Sequence, residues 1–262
     1  MVNCVVPRAR VSGNAVGLLF FALIAVSAVR GANPLVTDDA DTVEAGHFQL
    51  NSGVQFARKG SELLISCPLN LVGGLNSRAE LGATFGYVSR LGDGAAPDEQ
   101  SADGVMDLLL ASKWRLWQTA GNAFKLTARM DLKVPTASSH RGFGTGQVDV
   151  AAVLIGTRRF GHTSLDWNIG HSAINAAEGI FHDDHVFFGQ AVRHELNEHW
   201  TLIGEAFAEL PLGDEAAPAE IHFRGGAQWV VREEFLISAL IGTAAGSQSP
   251  DVTGLIGFTF AF

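Results

Sequence analysis

Residues 124–134 alternate between apolar and polar or charged side chains, and this period of two constrains the fold more than any other feature of the chain. Phe124, Leu126 and Met130 occupy one set of positions, whereas Lys125 and Arg129 occupy the other. Because successive side chains of a β-strand point to opposite faces, a strand here would have one apolar and one charged face. An α-helix would mix the two sets around its circumference. The segment is therefore predicted to be a strand between two different environments.

The same alternation recurs along the chain and predicts twelve strands. Short polar breaks alternate with breaks that are mostly longer and richer in Gly, Pro and acidic residues. Short turns at one end and longer loops at the other are typical of bacterial outer-membrane barrels, in which both termini lie on the short-turn, periplasmic side. The predicted strands are 47–57, 62–73, 78–89, 104–117, 123–134, 147–159, 163–174, 185–196, 199–210, 220–231, 235–244 and 251–262.

The alternative is a soluble barrel or sandwich, in which the apolar faces would point inward. Full charges along entire strands, and Phe and Trp near strand ends, favour a transmembrane antiparallel up-and-down β-barrel with an all-β fold. Hydrophobic residues make up 47% of the chain and charged residues only 17%, which fits an apolar face exposed to lipid. The expected interfacial aromatic residues are Trp114, Phe124, Trp200, Trp229 and Phe235.

The N-terminus divides the chain into a targeting segment and a mature protein. Residues 1–28 have a basic start, an apolar stretch and small residues at 26–28, so they are predicted to be a cleavable signal peptide. Residues 29–45 are then a periplasmic N-terminal segment, and residues 46–262 form the barrel. Thr37, Asp38 and Asp39 could fold into the barrel as a small plug or remain in a loose periplasmic tail, and some ordering is expected.

The last strand ends on an aromatic residue. Phe262, Phe260, Phe258 and Ile256 place apolar side chains at every second position. This pattern resembles the terminal signature by which the barrel-assembly machinery recognises its clients, which makes that machinery an expected partner. To close the barrel, this strand must pair with the strand near Phe48.

The charged faces are predicted to line the lumen, because a charged side chain facing lipid at the midplane costs about 2–4 kcal/mol. Twelve tilted strands give a backbone radius of roughly 12 Å, so the side chains leave a narrow water-filled path or none. These charges either form a selective pore lining or fill the barrel with salt bridges that stiffen it. The predicted lining is Lys113, Arg115, Asp107, Lys125, Arg129, Asp131, Lys133, Arg193, Glu195, Glu205, Glu209, Arg224 and Gln228.

Two more specific expectations concern this lumen. Lys125, Arg129 and Lys133 are expected to pair with carboxylates, such as those of Asp107, Asp131, Glu205 and Glu209. The inward residues of the last strand are small, so a path is expected off-centre along its wall, opposite strands 123–134 and 199–210. These small residues are Thr253, Gly257, Thr259 and Ala261.

Three short patterns suggest other chemistry, but each has a simpler interpretation. The two histidines in residues 194–199 are five positions apart, whereas the zinc-protease motif needs four on a helix. His162 and Ser164 could share a strand face, as an esterase pair would require, but they follow a short periplasmic turn and have no evident third partner. Residues 142–146 are rich in Gly, as a phosphate-binding loop is, but they lack the strand-to-helix context and the Lys-Ser/Thr ending of that motif. They are therefore expected to form a flexible surface loop. We therefore predict no catalytic site, metal or cofactor.

Several segments in order resemble the bacterial family named "putative MetA-pathway of phenol degradation", whose members are outer-membrane barrels regarded as transporters. The segments are 34–40, 46–50, 77–82, 113–116, 133–136, 141–146 and 196–202. The resemblance implies an outer-membrane location and a transport function.

We therefore expect a passive channel or uptake barrel for small, aromatic or otherwise hydrophobic molecules. The alternatives are a closed structural or surface-binding barrel and, less favoured, an esterase. The expected partners are membrane lipid, the assembly machinery and a small solute; the net charge of −9 argues against nucleic acid.

Overall fold

A computed structural model of the protein describes residues 36–93, 100–174, 184–212, 219–246 and 249–262. Within these residues the chain forms thirteen β-strands and two short 3-10 helices. The predicted signal peptide and residues 29–35 of the predicted N-terminal segment lie outside the described residues. In the part of the chain that is described, no helix has the length and hydropathy needed to cross a membrane.

The strand boundaries agree closely with those predicted from the alternation. The strands are β1 (Phe48–Lys59), β2 (Glu62–Asn76), β3 (Ala79–Asp93), β4 (Gln100–Val105), β5 (Leu108–Gln118), β6 (Phe124–Val134), β7 (Asp149–Phe160), β8 (Thr163–Ala173), β9 (Asp184–Glu195), β10 (Trp200–Leu212), β11 (Glu220–Arg232), β12 (Phe235–Ala245) and β13 (Val252–Ala261). The 3-10 helices span Ala120–Asn122 and Ser139–Arg141.

The strands form one closed antiparallel barrel. Consecutive strands are paired, except that β4 and β5 both pair with β3, and β13 returns to pair with β1 from Gln49 opposite Ala261 to Arg58 opposite Val252. At the periplasmic end Phe48 and Phe262 exchange backbone hydrogen bonds of 2.8 and 2.9 Å. The predicted closure between the last strand and the strand near Phe48 is therefore confirmed.

The predicted strand 104–117 is wrong in detail, because two strands, β4 and β5, occupy this one position in the barrel wall. The register against β3 shifts by one residue between them: Tyr87 lies opposite Val105, whereas Thr84 lies opposite Leu109. The residues between them, Met106 and Asp107, are both buried, with 6% and 4% exposure. An extra residue of this kind turns two successive side chains to one face. With β4 and β5 counted as one strand of the wall, the barrel has the twelve strands that were predicted.

The two faces of the barrel are inverted relative to those of a soluble protein. Large apolar side chains lie on the outside, where Ile241 and Ile256 are 65% and 67% exposed. Charged side chains lie inside, where Lys113 and Lys133 are each only 4% exposed. Exposed apolar surface of this extent indicates a lipid environment, because water would penalise it. The barrel is therefore transmembrane, and the soluble alternative is wrong.

Aromatic side chains gather at the periplasmic ends of the strands. Trp200 of β10 and Trp229 of β11 lie opposite each other with their rings stacked at a centroid distance of 5.8 Å. Trp114 is exposed on the same outer surface. Phe124 and Phe235 are partly buried against Trp117 and Phe258. Aromatic rings with this distribution suit the membrane–water interface.

Candidate functional site

An irregular stretch of chain, which we call the plug segment (residues 36–43), lies inside the barrel before β1 begins. Val36, Thr37, Asp38 and Ala40 are 2%, 0%, 7% and 0% exposed. Of the two alternatives for Thr37, Asp38 and Asp39, the structure therefore has them folded into the lumen. Val36 packs against Phe207 of β10.

Side chains of the wall satisfy the backbone of the plug segment. The amide of Asp38 donates a 2.8 Å hydrogen bond to Asn168 Oδ1, and Asn168 Nδ2 donates a 2.8 Å bond back to the Asp38 carbonyl. The amide of Ala40 donates to Thr157 Oγ1 at 2.8 Å, and Thr127 Oγ1 donates to the Ala40 carbonyl at 2.7 Å. Buried backbone outside a sheet requires such partners. Thr127, Thr157 and Asn168 were not singled out from the sequence, although each occupies an inward position of its strand.

The carboxylate of Asp38 bridges two strands. Its Oδ1 lies 3.2 Å from Lys113 Nζ of β5, and its Oδ2 lies 3.2 Å from Arg129 Nη1 of β6. Arg129 also bonds to Asp131 Oδ2 at 3.0 Å through Nη2. All four side chains are at most 10% exposed, so these charge-assisted bonds are weakly screened.

Two further carboxylates of the plug segment pair with cations of the wall. Asp39 Oδ2 lies 2.9 Å from Arg193 Nη1 of β9. Asp41 pairs with Lys125 of β6 and, at 2.5 Å, with Arg159 of β7. Burial raises the pKa of Asp41, but the hydrogen bond from Lys125 and the charge of Arg159 together outweigh burial, so the pKa of Asp41 lies below its ordinary value.

The cation pairings expected from the sequence are partly confirmed. Arg129 pairs with Asp131 as expected, and Lys133 Nζ lies 3.4 Å from Asp107 Oδ2. Lys133 also pairs with Asp149 of β7. Lys125 also pairs with a carboxylate, that of Asp41 in the plug segment, which was not among the partners named. Glu205 and Glu209 are not partners of these cations, because they lie on β10 beside Arg224.

The connection between β6 and β7, which we call the mouth loop (residues 135–148), folds inward at the extracellular end. Phe143 is 6% exposed and packs on Val88 and Met106, with the Arg90 guanidinium 5.3 Å from its ring centroid. The prediction of a flexible surface loop at 142–146 is therefore wrong. The register shift turns Met106 inward and so provides the apolar surface on which Phe143 packs. A period-two pattern in the sequence does not reveal such a shift.

The other predicted lining residues differ in how far they lie from the periplasmic end of the barrel. Glu205, Glu209 and Gln228 are 5%, 4% and 8% exposed inside the barrel. Arg224 is partly buried, with its guanidinium carbon 4.9 Å from the ring centroid of Phe207.

The two remaining lining residues lie at the periplasmic rim. Arg115 donates a hydrogen bond to the Ser77 carbonyl, and Glu195 is an exposed side chain whose Oε2 lies 3.9 Å from His162 Nδ1. Interior residues that the sequence analysis missed are Glu80, Asp149, Asp166, Glu220 and His222.

Two cavities along the wall of the barrel bear on a path for a solute. The larger, of about 80 Å³, is bounded by Val36 and by residues of β5–β9. The smaller, of about 40 Å³, lies along β1, β2 and β11–β13, and its lining includes Arg224 and Thr253. The off-centre path along β13 stays a prediction. The plug segment contacts β5, β8 and β10 rather than filling that side, but the cavity next to β13 is the smaller of the two and the larger one lies along β5–β9.

The patterns considered for other chemistry do not form a site in the described structure. His162 lies in an exposed turn, and no hydrogen bond joins it to Ser164 in this part of the chain. In the same described residues, no group of three or more His, Cys, Asp or Glu side chains is arranged to hold a metal ion.

A closed barrel with an apolar exterior, a charged interior and an inserted N-terminal segment defines a transmembrane β-barrel with a partly filled lumen. The family model described as "Putative MetA-pathway of phenol degradation" matches residues 32–262, and the chain belongs to this family. The resemblance drawn from the sequence motifs is thereby confirmed. No curated protein matches the chain in sequence.

Three solved structures with similar folds are distant from this chain in sequence. The COG4313 outer membrane channel from Pseudomonas putida F1 is 16% identical, with a TM-score of 0.67 over 86% of this chain and 98% of that chain. The KdgM porin is 8% identical, with a TM-score of 0.55 over 82% and 99%. The CymD monoaromatic hydrocarbon channel is 9% identical, with a TM-score of 0.50 over 84% and 89%. At these identities the likeness is one of fold.

Proposed function

We propose that the protein is a passive outer-membrane channel for small molecules. The observation that carries this proposal is the cavity of about 80 Å³ inside a closed transmembrane barrel, between the plug segment and β5–β9. Charged side chains keep the lumen polar, and no chemical step is needed for a solute to pass. In this proposal the interior charges predicted from the sequence set the selectivity of the lumen.

The lining of this cavity suggests the class of solute. Val36, Leu109 and Phe187 supply apolar surface, whereas Asp131 and Asp149 supply carboxylates that are already paired with cations. A small solute with an apolar body and a hydrogen-bonding group would match both parts. The name of the family and the monoaromatic hydrocarbon channel among the similar folds support an aromatic body.

The route to the outer membrane is part of the same proposal. Export would remove residues 1–28, and the C-terminal residues Ile256, Phe258, Phe260 and Phe262 would engage the barrel-assembly machinery. All four side chains lie on the exposed outer face of β13 and the residue after it. Deleting Phe262 is expected to lower the amount of folded barrel in the outer membrane, as measured by heat-modifiable migration of extracted protein.

A planar-bilayer recording, combined with solute uptake by proteoliposomes, tests the channel. Val153→Trp places a large ring in the cavity, because Val153 is a buried, cavity-lining residue of β7. We expect this variant to lose most of the stepwise current and most of the uptake of phenol-sized solutes. Ala152→Trp is the matched control, since Ala152 is an exposed neighbour on the lipid-facing side of the same strand. Equal transport by both variants would contradict a solute path through this cavity.

The second candidate is a closed barrel with a structural or surface-binding role. The plug segment and the mouth loop favour it, because both are held by buried polar and apolar contacts inside the lumen. Deleting residues 29–43 distinguishes the two, since every strand pairing of the barrel lies after residue 47. A channel should gain conductance from this deletion, whereas a barrel that stays silent with and without the segment would favour the closed alternative.

A further inference from the structure

The interior cations of β5–β9 are all neutralised by direct ion pairs, which makes the hairpin of β10 and β11 different. The paired cations among the described residues are Lys113, Lys125, Arg129, Lys133 and Arg193. On the hairpin, Glu209 of β10 lies directly opposite Glu220 of β11, and the two are 4% and 1% exposed. Neither forms an ion pair with a lysine or an arginine in the described residues. Two buried carboxylates that face each other are stabilised by a proton held on one of them or by a cation close by.

Buried polar groups without hydrogen-bond partners converge on this acidic pair. His222 is 0% exposed and lies flat on Phe207 at a centroid distance of 4.4 Å, with Nε2 3.4 Å from Glu220 Oε2. Neither ring nitrogen of His222 has a hydrogen-bond partner among the described residues, and the same is true of Ser249 Oγ. A Cβ built on Gly246 would lie 2.6 Å from Ser249 Oγ and 3.4 Å from Glu220 Cγ, so these groups surround the same small space.

The arginine of this hairpin acts electrostatically on Glu205 and Glu209, but it forms no direct ion pair with Glu209 or Glu220 in the described residues. Arg224 lies two residues beyond His222 on the same face, with its guanidinium over Phe207 and its Nε without a hydrogen-bond partner in the described structure. Its cross-strand neighbour is Glu205, which accepts a 2.5 Å hydrogen bond from the amide of Thr37. Three glutamates therefore share one arginine, and the hairpin carries excess negative charge inside the lumen.

We propose that the carboxylates of Glu209 and Glu220, with the Ser249 hydroxyl beside Glu220, bind a monovalent cation near the extracellular end of the lumen. Carboxylate and hydroxyl oxygens suit a hard cation rather than a soft transition metal, and a site with so few ligands suits an exchangeable ion such as potassium. Acidic side chains at the mouth of a pore select cations over anions. Insofar as the barrel is the channel proposed above, the site makes its path cation-selective.

Two measurements on the full-length barrel test the site. In the first, the melting temperature in detergent is compared between potassium chloride and N-methylglucamine chloride at equal ionic strength. Wild type should melt at a higher temperature in potassium, whereas Glu209→Gln combined with Glu220→Gln should show no such difference. This measurement does not require the barrel to conduct. It compares the melting temperatures with and without potassium for each protein, because the removal of two like charges also changes the absolute melting temperature.

The second measurement is the reversal potential of the reconstituted barrel in a potassium chloride gradient. The double variant should lower the potassium-to-chloride permeability ratio at least about twofold. Glu233→Gln is the matched control, because Glu233 is an exposed side chain of the β11–β12 turn, and it should change neither measurement. An equal potassium response in wild type and the double variant would overturn the site whether or not the barrel conducts. A silent barrel that keeps the potassium response would overturn the channel and not the site.

Discussion

The bridge made by Asp38 leads to a quantitative prediction about the plug segment. Asp38→Asn keeps the side-chain volume and both backbone hydrogen bonds to Asn168, but it removes the charge that faces Lys113 and Arg129. A hydrogen bond to a charged group contributes about 1.5–3 kcal/mol, and the asparagine carbonyl retains part of one of the two bonds. The expected loss is therefore about 3 kcal/mol of docking free energy, which raises the undocked fraction roughly 100-fold.

Thiol labelling measures this undocked fraction. Ala40→Cys, in a Cys67→Ser background, places a thiol where the side chain is fully buried, and Cys67 is the free cysteine of the described residues. Maleimide should label Cys at 40 roughly 100-fold faster when Asp38→Asn is added, because labelling requires release of the segment. Glu44→Gln is the control, since Glu44 is exposed, and it should leave the rate unchanged. Equal rates with and without Asp38→Asn would refute the bridge as the anchor.

Three further predictions follow from the same contacts. Phe143→Ala should release the mouth loop, because removing a buried Phe side chain costs about 3–5 kcal/mol. The variant should therefore increase the conductance or its noise, whereas His140→Ala, at an exposed position of the same loop, should change neither. Ile256→Arg, at mid-height on the lipid face, should lower the unfolding free energy in vesicles by about 2–4 kcal/mol, whereas Thr259→Arg on the inner face should cost far less. Because the pKa of Asp41 is lowered, its contribution to docking is complete above the unfolded value near 3.8 and is lost as the pH falls towards the lower folded value. Bilayer recordings should therefore show a step in conductance below about pH 4, and the Asp41→Asn variant should lack that step.

The wall of the barrel could be predicted almost completely from the sequence, because each strand meets lipid on one face and polar groups on the other. That contrast fixes the side-chain period and therefore the strands, the turns and the closing pair of Phe48 and Phe262. The one error in the wall, at Met106 and Asp107, occurs where an extra residue leaves no periodic signal. Residues on the lumen face could be identified for the same reason.

The contents of the lumen were harder to predict, because they depend on pairs that are distant in the chain. Lys125 pairs with Asp41, which is 84 residues away, and nothing local to either residue specifies the other. The mouth loop has a glycine-rich composition that suits a surface loop, yet Phe143 finds an apolar contact inside the mouth. Polar residues without charge, such as Thr127 and Asn168, gave no signal at all, although they hold the backbone of the plug segment.

The distribution of interior charge joins these observations into one argument. On β5–β9 the wall supplies more cations than the wall itself neutralises, and the plug segment contributes Asp38, Asp39 and Asp41 as their partners. On β10 and β11 three glutamates share Arg224, and no lysine or arginine of the described residues forms a direct ion pair with Glu209 or Glu220. Substitutions on the first side should therefore change docking and conductance by releasing the plug segment. Substitutions on the second side should change which ions pass, because its charge remains available to whatever enters the lumen.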